Sequence, residues 1–187
     1  GLLVGVAAAL AIEKLNMGFT SVRQIEDLAH LPVLASVAHV AAADRTINGA
    51  LVDLRRMLIL KPLSRHAEAI RALRSGILMT DVDHPPKVVM VTSTAPSEGK
   101  TSVALMLAAS AASSGQKVLV VDADLRRPSL SRAVGAEKTL GLVDLLLGET
   151  DAQTAFRFDE EGRHWILPAG GKTQNPPDLL GSEKMKK

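Results

Sequence analysis

The stretch Ser93–Ser102, with the sequence STAPSEGKTS, ends in a lysine and two hydroxyl side chains. Gly99, Lys100 and Thr101 complete the pattern of a phosphate-binding loop, in which Gly and four residues precede Gly-Lys-Ser/Thr. Thr94 occupies the place of the first glycine. Such a loop binds phosphate through backbone N–H groups, the lysine ammonium group and the positive end of a helix dipole. The stretch therefore predicts a nucleotide site if a strand precedes it and a helix follows it.

The residues on either side of the loop have the pattern of a strand–loop–helix–strand unit. Lys87–Ser93 is a β-rich apolar run, Ser102–Ala112 is a helical pattern, and Lys117–Asp124 contains a second apolar run. Such a unit predicts parallel strands, buried on both faces, with a right-handed crossover. We therefore expect an α/β fold with a P-loop NTPase-like parallel sheet flanked by helices.

The loop and the first turn of its helix supply the predicted phosphate contacts. Lys100 is placed on the β- and γ-phosphates, and the Thr101 hydroxyl is a ligand for Mg²⁺. Thr94 is acceptable in place of glycine if the loop does not need a positive φ there, and a generic polar helix cap is the alternative interpretation. The predicted nucleotide-binding residues are Pro96, Ser97, Glu98, Gly99, Lys100, Thr101 and Ser102.

Two aspartates, Asp122 and Asp124, follow the second apolar run. Ligands of open α/β sheets bind beyond the carboxyl ends of strands, so both carboxylates are expected beside the loop if the two strands are neighbours. One carboxylate can hold the metal or its water, and the other can accept a proton. Capping of the following helix is the alternative. The predicted catalytic residues are Lys100, Asp122 and Asp124.

Composition narrows the classes of partner. The 187 residues carry a formal net charge of +2 and 2% aromatic residues, which disfavours nucleic acid. The absence of cysteine excludes disulfides, thiolate catalysis and cysteine-ligated metal. An apolar fraction of 47% is enough for one sizeable core.

The first twelve residues, GLLVGVAAALAI, form an apolar run that Glu13 and Lys14 close. The run is shorter than the ~20 residues of a membrane span, and no basic residue precedes it as in a signal peptide. It is interpreted as the C-terminal end of a span, with a buried core helix as the alternative. Lys14 and Arg23 then favour a cytoplasmic exit side.

The segment between this run and the loop contains two helical patterns. Ser21 caps the first, which has Ile25 and Leu28 on one side and is followed by an extended stretch, Leu31–Val37. The stretch Leu51–Leu60 fits either a helix or a strand. The second pattern starts at His66 and has an apolar face of Ala67, Ile70, Leu73 and Ile77.

Glu68, Arg71 and Arg74 lie three residues apart on that second helix. They form either a solvated face with an intrahelical ion pair or a contact with a neighbouring subunit, because arginine binds carboxylates in bidentate fashion.

Ser93–Thr101 together with Val118–Pro128 resembles the Walker A and Walker A′ motifs of bacterial tyrosine kinases. These are cytoplasmic domains of polysaccharide co-polymerases, which control capsule and exopolysaccharide export. The resemblance covers most of the chain. Glu68, Arg71 and Arg74 match the family's E-x-x-R-x-x-R ring-forming motif, and the stretches Ser21–Val37, Leu167–Gly170 and Asn175–Leu180 match its juxtamembrane segment, third strand and following helix.

The resemblance implies a membrane-bound autokinase that uses ATP and Mg²⁺. Thr101 and Asp122 would organise Mg²⁺, Asp124 would orient or deprotonate a tyrosine hydroxyl, and Arg126 and Arg127 would contact phosphate, a neighbouring subunit or solvent. The implied partners are further copies of the chain in a ring and the polysaccharide export and polymerisation machinery. The implied location is the inner membrane, with this segment facing the cytoplasm. The implied domains are a span end at 1–15, a juxtamembrane segment at 16–63 and the N-terminal part of the kinase domain at 64–187.

The loop departs from the family pattern at Ser97, which stands where the commonest loop has glycine. Ala95 stands where partitioning and division-site ATPases carry a lysine, which counts against those relatives. The Walker B strand and the tyrosine cluster are expected beyond Lys187, so these 187 residues alone are expected to be inactive. The alternatives are an oligomerising scaffold that binds nucleotide without kinase activity and an ordinary P-loop ATPase like the partitioning proteins.

Overall fold

The computed structural model describes residues 1, 5–6, 21–41, 43–47 and 49–186, in two units, Gly1–Ser36 and Val37–Lys187. The first unit contains helix α1 (Val22–Ala29), whose predicted cap is confirmed because Ser21 Oγ accepts the Gln24 N–H at 3.3 Å. The stretch 31–37 is neither helix nor strand. The predicted span end at 1–15 lies almost wholly outside the described residues, and no described helix is long and apolar enough to cross a membrane.

The second unit combines helices with two small sheets. After a 3₁₀ turn at Ala43–Arg45, its helices are α2 (Leu54–Leu60), α3 (Arg65–Leu78), α4 (Lys100–Ser113), α5 (Ser129–Ala133), α6 (Leu142–Leu147), α7 (Ala152–Ala155) and α8 (Pro176–Leu180). Its strands are β1 (Thr46–Ile47), β2 (Ala50–Leu51), β3 (Leu119–Val121), β4 (Arg157–Asp159) and β5 (His164–Leu167). The ambiguous stretch 51–60 is therefore divided between a strand end and a helix.

The main sheet has the strand order β3-β5-β4, with β3 and β5 parallel and β4 antiparallel to β5. Val120 is opposite Ile166 in the parallel pair. The second predicted strand and the helix after Asn175 are confirmed as β3 and α8. The third strand that the family resemblance implied at Leu167–Gly170 is shifted: β5 covers His164–Leu167, and residues 168–170 are neither helix nor strand.

The first predicted strand, Lys87–Ser93, is wrong: these residues form no strand. Val88 is 89% exposed and Met90 is 86% exposed. A strand needs a neighbour that satisfies its backbone N–H and C=O groups, and no described segment pairs with 87–93. The run has strand-forming residue types but no described partner strand to hydrogen-bond with. The parallel pair of the main sheet is formed by β3 and β5.

Helix α4 is the centre of the packing. Met106 and Ala109 pack with Leu58 of α2 and with Ala67 and Ile70 of α3. On another side of α4, Leu105 packs with Leu130 of α5 and Ile166 of β5. Burying a side chain such as Met106 or Ile70 contributes about 1.5–3 kcal/mol. These contacts fix the first turn of α4, which carries Lys100 and Thr101, relative to the sheet.

The buried side chain of Arg55 connects α2 to the hairpin formed by β4 and β5. Its Nε lies 2.7 Å from Asp53 Oδ1, and its Nη1 lies 2.8 Å from Asp159 Oδ2. Gly162 also donates its N–H to that Asp159 oxygen, and a Cβ at Gly162 would lie 2.2 Å from the ring of the buried His164. This close approach therefore requires glycine.

Burial alone would raise the pKa of Asp53, but hydrogen bonds from Arg55 and its charge outweigh it and hold the pKa below the ordinary 3.8. Because the folded-state pKa is depressed, the Asp53 contribution to stability is present above pH 3.8. It is lost as the pH falls through the lowered pKa.

Replacing Arg55 by methionine is expected to destabilise the protein by about 3–5 kcal/mol, because the largely buried Asp159 carboxylate loses its cation. The matched control is Arg56→Met. Arg56 has a 59% exposed side chain and lies 3.5 Å from Glu161, and its loss should cost about 0–1 kcal/mol. Urea unfolding measures both changes, and equal shifts for the two variants would contradict this role of Arg55.

Candidate nucleotide-binding site

The loop before α4 presents unpaired backbone donors. The N–H groups of Ser97 to Ser102 have no acceptor among the described residues, and the first N–H of this region that is bonded is that of Val103, to Gly99 O at 2.9 Å. Glu98 and Gly99 are exposed, and Lys100 and Thr101 are half-buried. A row of free N–H groups at a helix N-terminus, next to a lysine, is an arrangement that binds anions such as phosphate.

The backbone conformation of the loop explains which residues it tolerates. Gly99 has φ +89° and Ser97 has φ +66°, whereas Thr94 is not among the described non-glycine residues with positive φ. Thr94 can therefore replace the first glycine of the pattern, as predicted. Ser97 occupies a left-handed conformation that favours glycine, which accounts for glycine being the usual residue there.

Glu98 folds back over the start of the loop. Its carboxylate accepts the Ala95 N–H at 3.0 Å and the Thr94 hydroxyl at 3.2 Å. The hydrogen bond from Ala95, with those from Thr94 and the charge of Lys100, lowers the pKa of Glu98. Glu98 is therefore ionised at neutral pH and braces the loop through its own backbone.

The carboxylate of Asp122 is buried and holds the turn that follows β3. Asp122 is 4% exposed, and its Oδ2 accepts the Ser131 N–H at 2.8 Å and the Ser131 hydroxyl at 2.6 Å. Ser131 Oγ in turn accepts the Ala169 N–H at 2.9 Å. The ends of β3 and β5 are thus joined through one aspartate and one serine.

Asp124 lies nearer the surface than Asp122. Its backbone N–H donates to Asp122 Oδ1 at 3.3 Å, and its own Oδ1 accepts the Arg127 N–H at 3.0 Å. The half-buried Asp124 therefore shapes the turn before α5 but does not cap that helix, whose N-cap residue is Pro128 without a side-chain cap. The carboxylate that bonds an N–H group in the first turn of α5 is that of Asp122. Arg126 and Arg127 are both exposed.

One hydrogen bond connects the loop helix to this turn. Thr101 Oγ1 lies 2.7 Å from Oγ of Ser129, which is the first residue of α5. Sequence reasoning missed both Ser129 and Ser131. The available signal was the Ser-x-Ser pattern directly after Pro128, where hydroxyl side chains bond to nearby backbone and carboxylate groups.

The donor set suits a hard cation bound mainly through phosphate oxygens and water. The described residues contain no group of three or more His, Cys, Asp or Glu placed to hold a metal ion. Mg²⁺ in nucleotide sites typically takes few protein ligands, with the remainder from phosphate and water. Thr101 offers a hydroxyl, and among the described residues Asp122 Oδ1 accepts one hydrogen bond, so a lone pair remains for a metal-bound water.

The residues of the predicted ring motif lie on α3, which precedes the loop in the sequence. Their arginines bond to neutral oxygens and do not form the intrahelical ion pair that was one of the two interpretations. Arg71 Nη1 donates to Pro62 O at 2.6 Å, and Arg74 Nη1 donates to Ser110 O at 3.2 Å and to Ser114 Oγ. No described residue forms an ion pair with Glu68, Arg71 or Arg74. The exposed Glu68 carboxylate and both guanidinium charges are therefore uncompensated in the described part of the chain.

Comparison with known proteins shows what this chain is similar to. Residues 89–167, which include the loop and both aspartates, match the CobQ/CobB/MinD/ParA nucleotide binding domain family. Tyrosine-protein kinase YwqD of Bacillus subtilis is 36% identical over 76% of this chain and 60% of its own length. The kinase domain of Escherichia coli tyrosine kinase ETK has 28% identity and a TM-score of 0.79, over 90% of this chain and 67% of that chain. This chain is a relative of the bacterial tyrosine kinases.

The family resemblance inferred from the two motifs is confirmed by these matches. A further relative by sequence is succinoglycan biosynthesis transport protein ExoP of Rhizobium meliloti, 28% identical over 99% of this chain and 26% of ExoP. The chain therefore spans 60% of YwqD and about a quarter of ExoP. The TM-score of 0.79 shows that the α/β arrangement of helices and small sheets described above is similar to the fold of the ETK kinase domain.

Replacing Asp122 by alanine is expected to destabilise the protein by about 1–3 kcal/mol, because the buried hydroxyl and N–H of Ser131 lose their acceptor. Asp124→Ala removes one half-buried acceptor and should cost about 1 kcal/mol or less. Urea midpoints with unchanged m-values measure both variants. An Asp124 effect as large as that of Asp122 would contradict the structural division between them.

Proposed function

We propose that this chain is the ATP-binding part of a bacterial protein-tyrosine autokinase that regulates polymerisation and export of capsule or exopolysaccharide. The observation that carries the proposal is the row of N–H groups at the start of α4 that have no acceptor among the described residues. Thr101 and Ser129 join this row to the segment that Asp122 holds. YwqD and ETK are named as tyrosine kinases, which supports the proposed phosphorylation reaction. ExoP is named as a succinoglycan biosynthesis transport protein, which supports the proposed role in polysaccharide export.

In this proposal the loop residues 96–102 bind the phosphates of ATP, and Lys100 neutralises charge on the β- and γ-phosphates. Thr101 and Asp122 would hold Mg²⁺, directly and through water, and the cation would neutralise phosphate charge. Asp124 accepts the proton of a tyrosine hydroxyl as that oxygen attacks the γ-phosphorus and ADP leaves. Its half-buried position at the surface side of the turn suits a group that meets a second polypeptide.

The proposal places the protein in the inner membrane with this segment in the cytoplasm. Residues 1–15 are the end of a membrane span and 16–63 form the juxtamembrane segment. The apolar run before Glu13, the basic residues after it and the similarity to a transport protein support this placement.

The proposed partners are further copies of the chain and the polysaccharide export and polymerisation machinery. Glu68, Arg71 and Arg74 would pair with a neighbouring copy to form a ring. Their charges lack counterions in the described part of the chain, so a neighbour can offer better partners than the neutral oxygens that Arg71 and Arg74 now contact.

In the whole protein, Lys100→Met should weaken Mg-ATP binding at least tenfold, or about 1.4 kcal/mol, because the phosphates lose their principal protein cation. Lys117→Met, which removes an exposed lysine just beyond the far end of α4, is the control and should leave the affinity unchanged. Calorimetry measures both. Equal affinity of wild type and Lys100→Met would remove the nucleotide site as assigned, whereas binding without tyrosine phosphorylation in the whole protein would favour a nucleotide-dependent scaffold or a P-loop ATPase.

Replacing both Arg71 and Arg74 by alanine should convert a ring of the whole protein into monomers, because an unpaired carboxylate left at the contact is costly. ATP affinity should stay within about twofold, and phosphorylation between copies should fall because the local tyrosine concentration falls. Arg65→Ala, on the exposed start of the same helix, is the control. Light scattering that gives the same mass for wild type and the double variant would contradict the ring contact.

A further inference from the structure

We propose that Ser129 is a positioning residue for Thr101, which it orients by accepting the Thr101 hydroxyl proton. The inference rests on the proposed nucleotide site. It adds to that site a residue, Ser129, that lies outside both sequence motifs. It starts from the 2.7 Å distance between Thr101 Oγ1 and Ser129 Oγ.

A hydroxyl group has one proton and two lone pairs. If Thr101 Oγ1 gives a lone pair to a cation, its proton must point away from that cation toward another acceptor. Ser129 Oγ is the acceptor within hydrogen-bond distance among the described side chains. With the proton held there, the remaining lone pairs of Thr101 face away from Ser129.

Ser129 is held in place by the first turn of helix α5, which carries it. Two residues later, Ser131 is 2% exposed and is fastened to Asp122 Oδ2 by both its N–H and its hydroxyl. Ser131 also accepts the Ala169 N–H at the end of β5. The same turn therefore carries the acceptor for Thr101 and the donors for Asp122, the two groups assigned to the cation.

A serine that orients Thr101 and a serine with a purely structural role differ in how their replacement changes nucleotide binding. A serine that only packs or stabilises α5 would affect nucleotide binding equally with and without the cation. A serine that orients Thr101 affects binding only when the cation is present, because nucleotide phosphates contact the loop N–H groups and Lys100 in either case.

The test compares Ser129→Val with Ser129→Thr, which have nearly the same shape but differ in the hydroxyl group. In the whole protein, calorimetry would measure ADP binding to each variant with Mg²⁺ and with EDTA. We expect Ser129→Val to weaken Mg-ADP binding about three- to tenfold and to leave Mg-free ADP binding unchanged. Ser129→Thr should restore Mg-ADP affinity. Ser113→Ala, an exposed serine on α4, is the control and should behave as wild type.

Three outcomes would overturn the inference: no loss in Ser129→Val, an equal loss with and without Mg²⁺, or failure of Ser129→Thr to restore binding. If Ser129→Val does not fold, Ser129→Ala is measured against Ser129→Thr with the same criteria. Wild-type protein that binds ADP neither with nor without Mg²⁺ would refute the proposed function itself. Wild-type binding that Lys100→Met abolishes and Ser129→Val leaves intact would refute this inference alone.

Discussion

The buried carboxylate of Asp122 requires hydrogen-bond donors, and meeting that requirement organises the site. A charge at 4% exposure is costly unless donors surround it, and Ser131 supplies two while the Asp124 backbone supplies a third. Because Ser131 also bonds to Ala169, satisfying this charge fixes the ends of both parallel strands. It also sets the first turn of α5, whose Ser129 reaches the loop helix.

The phosphate loop contains both groups that attract an anion and a carboxylate that repels one. Its free N–H groups and Lys100 favour an anion, yet Glu98 places a carboxylate over the first part of the loop. Glu98 accepts the Ala95 N–H and the Thr94 hydroxyl, whereas the N–H groups at the start of α4 have no acceptor among the described residues. The loop is thus braced by its own anion at one end and open to an external anion at the other.

Local chemistry determined much of this protein from the sequence alone. The Gly-Lys-Thr order, the helical pattern after it and the apolar run before Asp122 predicted the loop, α4 and β3, because each depends on residues close together in the chain. Ser21 predicted the start of α1 for the same reason. The two motifs also indicated the tyrosine-kinase family, which the comparisons confirm.

Tertiary structure alone decided what depends on distant partners. Lys87–Ser93 has strand-forming residues but no described neighbour to pair with, so it is exposed. Arg55 could not be paired with Asp159 from sequence, because 104 residues separate them and only the fold brings them to 2.8 Å. Sequence reasoning likewise missed Ser129 and Ser131. Their contacts with Thr101 and Asp122 arise because hydrogen bonds join atoms close in space, whatever their separation along the chain.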